Sequence, residues 1–209
     1  MNHRCDLLIE TVRWSGGRYH NAALHMKRML RSSPALQFPA TDGHGWLPPV
    51  PHSLRALTLK CRIIYDTEIR KIEFEPYSPK TVRSLQMICD NTIDYHLKYA
   101  DRSRLESLLA AGRKHADEII IVKNGLVTDT SYSNLIFMAG DRIYTPAKPL
   151  LRGVMTTRLL LDGHIIPADL SPADILPGNR YGITHALPVN AMLPPGTIPP
   201  IDTAHILPL

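Results

Sequence analysis

Lys98 is the first residue whose type and place could do chemistry. It lies in the segment LKYADR, residues 97–102, where an extended stretch meets a predicted helix N-terminus. The positive end of a helix dipole disfavours a protonated amine, and a lysine with a lowered pKa can act as a Schiff-base nucleophile. An exposed surface lysine is the commoner interpretation when this segment is considered alone.

Asp129 is the second such residue. It ends a predicted strand and is followed by the small polar residues 130–134, TSYSN. A carboxylate in this position could bind the ring N–H of a heteroaromatic molecule. A turn whose side chains hydrogen-bond their own backbone is the commoner interpretation when this segment is considered alone.

Two further segments could hold an anion. Residues 151–157, LRGVMTT, run from a loop into a helix that Gly153 opens, and the free N–H groups at a helix start bind phosphate, although no Walker sequence is present. Arg28, in a helix predicted over 21–31 with Asn21 at its cap, could reach a phosphate with two donors. His25 in the same helix is expected to be a packed histidine, because no partner at metal-binding spacing stands near it.

The elements that must position these residues are mostly strands. Apolar alternation and turn residues predict strands over 7–14, 54–65, 71–77, 84–90, 118–122, 126–129, 134–138 and 181–184. Helices are fewer, with Asp101 capping one that runs to Lys114. This order favours an α+β fold over a doubly wound parallel sheet. A boundary near residue 95 divides the predicted domains, 1–95 and 96–209.

Composition and charge exclude several classes. The 209 residues are 44% hydrophobic and 21% charged, as in ordinary globular proteins. The longest apolar run, Leu135 to Ala139, is too short to span a membrane. The net charge of +5 comes without a block of lysines and arginines, so no nucleic-acid partner is predicted. Cys5, Cys61 and Cys89 form no disulfide or metal motif and no signal peptide is visible, which favours the cytoplasm.

Taken together and in this order, the segments resemble the fold-type IV pyridoxal-phosphate enzymes. This is the class-IV aminotransferase family, which includes aminodeoxychorismate lyase, D-amino acid aminotransferase and branched-chain aminotransferase. Five segments carry the resemblance, namely ETVRW-SGG, LHMKRML, DYHLKYADRSRLESLL, ADEIIIVKNGLVTDTSYSNLIF and YTPAKPLLRGVMTTRLL. The segment YGITHAL is similar to the family to a lesser degree. The chain is most similar to aminodeoxychorismate lyase, whose lysine segment has the same L-K-x-x-[ND]-R form.

The resemblance implies a role for each matching residue toward pyridoxal 5'-phosphate. Lys98 would form the Schiff base and move protons, and Asp129 stands where the family has a glutamate on the pyridine nitrogen. Leu151 would pack against the ring, and Arg13 would face a substrate carboxylate. The phosphate would be bound by the remaining residues, namely Arg28, the N–H groups of Val154 and Met155, and the hydroxyl of Thr184.

The resemblance also implies a fold and a function. The fold would be a two-domain α+β fold with a shortened N-terminus and the cofactor site between the domains. The expected activity is that of a lyase of folate biosynthesis, which eliminates pyruvate from 4-amino-4-deoxychorismate to give 4-aminobenzoate. A class-IV aminotransferase of branched-chain or D-amino acids and a non-catalytic relative are the alternatives. A homodimer acting on a small amino or carboxylate substrate is implied in the first two cases.

Overall fold

The chain has an α+β fold, as predicted. A computed structural model describes residues 7–37 and 46–209, so Cys5 and part of the proline-rich stretch after the first helix lie outside the described residues. The described residues form three α-helices, α1 (Ala22–Ser32), α2 (Ser103–Gly112) and α3 (Val154–Leu161). Their strands are β1 (Leu8–Ser15), β2 (Arg18–Tyr19), β3 (Leu59–Tyr65), β4 (Ile69–Pro76), β5 (Leu85–Cys89), β6 (Glu118–Lys123), β7 (Leu126–Val127), β8 (Asn134–Ala139), β9 (Arg142–Pro146), β10 (Ile166–Ala168), β11 (His185–Val189), β12 (Ile201–Asp202) and β13 (Ile206–Leu207).

Backbone contacts divide the described residues into two compact units. The first contains the residues up to Ser78 together with Leu97–Asp101, and the second contains Pro79–His96 and Arg102–Leu209. The short insertion that carries Lys98 therefore belongs to the first unit. The predicted domains, 1–95 and 96–209, have other bounds and stay a prediction.

The first unit is an antiparallel sheet with helix α1. The strand order is β2-β1-β3-β4, and β1 turns into β2 at Gly16 and Gly17, which both have positive φ as a tight hairpin requires. Side chains of β3 alternate between buried and half-buried, so one face of the sheet forms a core. Met29 of α1 is part of that core.

The second unit contains two mixed sheets. Their strand orders are β10-β9-β8-β11-β12 and β13-β5-β6-β7. Strands β5 and β6 run parallel, and the predicted turn at Asn124-Gly125 joins β6 to β7 with positive φ at both residues. The core of this unit combines apolar side chains of both sheets, including Leu135 and Ile120.

Three local predictions are corrected. Asn21 precedes α1 in a left-handed conformation, and its side chain makes no cap hydrogen bond. The cap position of α2 is occupied by Arg102 rather than Asp101. The strand predicted over 181–184 lies further along the chain as β11, and this shift changes the interpretation of Thr184.

No helix among the described residues is long and apolar enough to cross a bilayer.

Candidate functional site

A buried ion pair joins β1 to α1 in the first unit. The Glu10 side chain is completely buried, and its carboxylate accepts hydrogen bonds from Nε and Nη2 of Arg28, each at 2.6 Å. Nδ1 of His25 lies 2.6 Å from the same carboxylate. One strand residue thus holds two side chains that are three residues apart on α1, where they share a face.

The protonation states of this cluster follow from its burial and charges. Burial disfavours the charged form of Glu10, but the charge of Arg28 and the hydrogen bonds from Arg28 and His25 outweigh burial and hold the Glu10 pKa well below its usual range. Burial lowers the pKa of His25; Glu10 opposes this shift, and the charges of Arg28 and Lys98 add to it. His25 is therefore a neutral imidazole that donates Nδ1–H to Glu10, while its buried Nε2 has no hydrogen-bond partner.

Lys98 is fixed by its backbone to the beginning of β1. The amide of Ile9 donates to the Lys98 carbonyl at 2.9 Å, and Tyr99 forms a bridge with Leu8. The side chain of Lys98 is half-buried, and its charge acts on His25. Lys98 and Arg28, two of the predicted site residues, thus lie in the same unit, and the charge of each acts on His25.

Arg13 lies on the other face of β1. Successive side chains of a strand point to opposite faces, so Arg13 and Glu10, three positions apart, face opposite ways. Arg13 is paired in register with Lys60 of β3, and its buried Nε has no hydrogen-bond partner. The predicted substrate residue is thus separated by the sheet from the Glu10 cluster.

Asp129 is buried in the second unit and is held on both oxygens. Its Oδ1 accepts a hydrogen bond from Nδ2 of Asn134 at 2.7 Å, and its Oδ2 accepts one from the backbone amide of Leu151 at 3.0 Å. Burial raises the pKa of Asp129 to about 7, although these hydrogen bonds and the charge of Arg152 oppose the shift. A carboxyl group with this pKa can hold or release a proton near neutral pH.

The start of α3 also contacts the side-chain amide of Asn134. Gly153 is the cap residue of α3, and its N–H donates to Oδ1 of Asn134 at 2.9 Å. Val154 and Met155 follow in the first turn, whose N–H groups have no acceptor within the helix. Asp129, Leu151 and the start of α3 are therefore neighbours, while their roles toward a cofactor stay a prediction.

Thr184 lies elsewhere. Its backbone amide donates to the carbonyl of Met138, near the far end of β8 from Asn134. The four residue steps from Asn134 to Met138 correspond to about 13 Å of extended strand. No hydrogen bond between described residues joins Thr184 to the start of α3, and its predicted phosphate contact stays a prediction.

The residue of β11 that stands opposite Asn134 is Val189, and Asn190 follows it. Nδ2 of Asn190 donates to Oγ of Ser133 at 2.8 Å, while its Oδ1 accepts the backbone amides of Met192 and Leu193. Sequence reasoning missed this turn. The signal was the asparagine directly after the apolar run of β11, a residue that commonly closes a turn on its own backbone.

Comparison with known proteins decides the family. The amino-transferase class IV model matches residues 7–188, most of the chain. The chain belongs to the amino-transferase class IV family. This confirms the prediction of a pyridoxal-phosphate-dependent enzyme with the corresponding α+β fold.

Three relatives illustrate the membership in amino-transferase class IV. An uncharacterized protein of Haemophilus influenzae is 37% identical over 184 residues, which cover 86% of this chain and 97% of that protein. A crystal structure from Haemophilus somnus, named as a "putative 4-amino-4-deoxychorismate lyase", is 28% identical with a TM-score of 0.74, covering 90% of this chain and 97% of that one. A hypothetical aminotransferase from Mycobacterium tuberculosis in its PLP-bound form has a TM-score of 0.71 at 18% identity, covering 97% of this chain and 82% of that one.

Each unit, taken by itself, offers polar groups of a kind that pyridoxal phosphate requires. The first unit offers an amine and a guanidinium, and the second offers a buried carboxyl group and a helix start with free N–H groups. These are the donors and acceptors that an aldehyde, a phosphate and a pyridine nitrogen require. No group of metal-binding side chains occurs among the described residues.

Proposed function

We propose that this class-IV enzyme is a lyase that converts 4-amino-4-deoxychorismate into 4-aminobenzoate and pyruvate. The observation that carries the proposal is the similarity to the Haemophilus somnus protein, which extends over 90% of this chain and 97% of that one at 28% identity. The lysine segment LKYADR supports the same choice, because it has the form found in aminodeoxychorismate lyase.

In the first unit, Lys98 binds the cofactor covalently and Arg28 binds its phosphate. Arg28 already donates from Nε and Nη2 to Glu10, so its guanidinium is oriented before a ligand arrives. Neutral His25 is held by the same carboxylate and adds no positive charge beside Lys98. A site with fewer cations favours the uncharged amine that Lys98 needs as a nucleophile.

In the second unit, Asp129 interacts with the ring nitrogen, Leu151 packs on the ring, and the amides of Val154 and Met155 bind the phosphate. A cationic N–H beside Asp129 would lower the pKa of its carboxyl group from about 7 and favour the carboxylate. In this proposal the turn at Asn190, and not Thr184, supports the cofactor site from the β11 side, because Asn190 contacts Ser133, next to Asn134.

Lys98 is also the residue that moves protons. When bound, pyridoxal phosphate draws electrons from the substrate carbon attached to it, which makes the hydrogen of that carbon acidic. The amine of Lys98, once the amino group of the substrate has displaced it from the cofactor, would accept this proton and return one later, as a positioned general base and acid does. Asp129 keeps a proton at the ring nitrogen during this exchange. We further propose that the enzyme works as a homodimer in the cytoplasm and serves folate biosynthesis.

The test is product analysis on the purified protein loaded with pyridoxal phosphate. Incubation with 4-amino-4-deoxychorismate is expected to release pyruvate and 4-aminobenzoate in equal amounts, and the variant Lys98→Ala is expected to release neither. Lys148→Ala is the control, because Lys148 is exposed and its ion pair is with Asp169.

The same assay separates the alternatives. Transfer of an amino group from leucine or D-alanine to 2-oxoglutarate, without pyruvate release from aminodeoxychorismate, would contradict the lyase and identify an aminotransferase. Failure of both reactions in a protein that binds no pyridoxal phosphate would identify a non-catalytic relative.

A further inference from the structure

We propose that Asn134 is a positioning residue that holds Asp129 and the start of α3 together as one unit. The inference rests on the proposed function for the meaning of the two groups, the ring-nitrogen acid and the phosphate-binding helix start. The evidence for Asn134 itself comes from hydrogen bonds within the second unit.

The amide of Asn134 uses all of its hydrogen-bonding capacity. Its Nδ2 donates to Oδ1 of Asp129 at 2.7 Å and to the carbonyl of Leu151 at 2.8 Å. Its Oδ1 accepts from the amide of Gly153 and from Oγ1 of Thr156, both at 2.9 Å. An asparagine side chain has two N–H donors and two acceptor positions, so no capacity is left over.

These partners allow only one orientation of the amide. Rotation by half a turn would direct Nδ2 at the N–H of Gly153 and Oδ1 at the carboxyl group of Asp129, and both contacts would be unfavourable. An aspartate at position 134 would present an acceptor where Asn134 has its donors. The site therefore requires the amide, and not only a side chain of this size.

Leu151 is held at both of its backbone groups. Its N–H donates to Oδ2 of Asp129 and its carbonyl accepts from Nδ2 of Asn134. Asp129, Asn134 and Leu151 thus form a closed ring of hydrogen bonds. A displacement of any member changes the position of the others.

Gly153 connects this ring to α3. A Cβ atom at position 153 would overlap with Oδ1 of Asn134, so the helix start approaches the amide more closely than any other residue type permits. The backbone of Gly153 is in an extended conformation with φ of −72°, which alanine also adopts. A substitution of Gly153 by alanine therefore acts through this overlap and not through backbone strain.

Because the Asn134 amide binds both the Asp129 carboxyl group and the start of α3, a change at Asn134 is expected to alter the pKa of Asp129 and the position of the helix start together. In Asn134→Asp, a second carboxyl group beside Asp129 replaces a hydrogen-bond donor, and both changes favour the protonated form of Asp129. The loss of the Leu151 contact also displaces the helix start. Gly153→Ala perturbs the amide from the other side and is expected to produce the same pair of effects.

The experiment measures two quantities in wild type, Asn134→Asp, Gly153→Ala and a control. The first is the titration of the Asp129 carboxyl carbon by NMR in the full chain without cofactor, and the second is the dissociation constant for pyridoxal phosphate. The control is Asn179→Ala, because Asn179 also makes four hydrogen bonds in the second unit but none of them involves Asp129 or α3.

We expect Asn134→Asp and Gly153→Ala to shift the pH at the midpoint of the Asp129 carboxyl titration. In Asn134→Asp the shift is expected to be upward by about one pH unit or more. We expect them to weaken pyridoxal phosphate binding about tenfold, the effect of one lost hydrogen bond to a charged group. Asn179→Ala is expected to lower the melting temperature and leave both quantities unchanged. This separates positioning from a general loss of stability.

Unchanged Asp129 titration in both site variants would overturn the proposal, and so would equal effects in Asn179→Ala. The titration needs no cofactor, so it decides the role of Asn134 toward Asp129 independently of the activity. A wild-type protein that binds no pyridoxal phosphate would instead contradict the proposed function.

Discussion

Arg28 donates two hydrogen bonds of 2.6 Å to the carboxylate of Glu10, and both side chains are buried. A buried pair of this kind adds little net stability compared with apolar residues, but removal of one partner leaves the other charge uncompensated. The pair therefore serves to orient Arg28, at the cost of a strong dependence on Glu10.

The first prediction concerns this dependence. Glu10→Gln is expected to lower the free energy of unfolding by about 3 kcal/mol, because it leaves a buried guanidinium without a counter-charge. Glu75→Gln is the control, since Glu75 is partly exposed and pairs with Lys60 and Arg62, and it is expected to cost less than about 1 kcal/mol. Urea denaturation of the cofactor-free protein measures both values. Equal losses would contradict the importance of the buried pair.

The second prediction concerns the ligand of Arg28. Arg28→Lys is expected to weaken binding of pyridoxal phosphate about tenfold, because a lysine cannot keep two donors on Glu10 and also contact a phosphate. Binding of pyridoxal, which lacks the phosphate, is expected to change much less. Equal weakening of both ligands would indicate that Arg28 only stabilises the fold. Arg31→Lys in the exposed last turn of α1 is the matched control.

The third prediction concerns pH. The pKa of Asp129 is raised to about 7, so the folded protein holds a proton that the unfolded chain has already lost above about pH 4. The stability that this group contributes is therefore present at low pH and is lost as pH rises toward 7. Asp129→Asn removes this titration. It also removes an acceptor that faces Asn134, and this loss lowers the free energy of unfolding by an amount that does not depend on pH.

The measurement is the difference in unfolding free energy between wild type and Asp129→Asn, without cofactor, across this pH range. We expect the advantage of wild type to fall with rising pH by at most about 1.4 kcal/mol per unit. A constant difference would show that Asp129 has an ordinary pKa and would contradict the account of its burial.

The fourth prediction concerns which residue beside β11, Thr184 or Asn190, affects the affinity for pyridoxal phosphate. Thr184→Val is expected to leave the affinity for pyridoxal phosphate unchanged, because the hydroxyl contacts Met138 and His185 at the far end of β8. Asn190→Ala is expected to weaken that affinity, because it releases the turn that contacts Ser133. Fluorescence titration with the cofactor measures both, and the reverse result would restore Thr184 to the phosphate site.

Local features of the sequence predicted much of the fold. The hairpins at Gly16-Gly17 and Asn124-Gly125 were predictable because tight turns select residues that tolerate positive φ. Helix α3 and its glycine start were predictable for similar local reasons. The parallel pairing of β5 with β6 was not, because nothing within either segment specifies a distant parallel neighbour.

Some residues of the candidate site could likewise be predicted from the sequence, and others could not. Lys98, Asp129 and the start of α3 were predicted because their segments together resemble the class-IV family, and their roles stay predictions. Glu10 was missed, since a single glutamate in a strand carries no sign that it will be buried against Arg28. The strand predicted over 181–184 begins four residues later as β11, so Thr184 precedes this strand instead of ending it, and its phosphate contact stays a prediction.

The most direct test of the central claim is to locate the cofactor on the chain. The protein loaded with pyridoxal phosphate is reduced with borohydride, which makes the lysine link permanent, and is then digested and analysed by mass spectrometry. We predict one phosphopyridoxyl group, attached to Lys98. A modified lysine elsewhere, or no modification at all, would contradict the assignment of Lys98 as the residue that binds the cofactor.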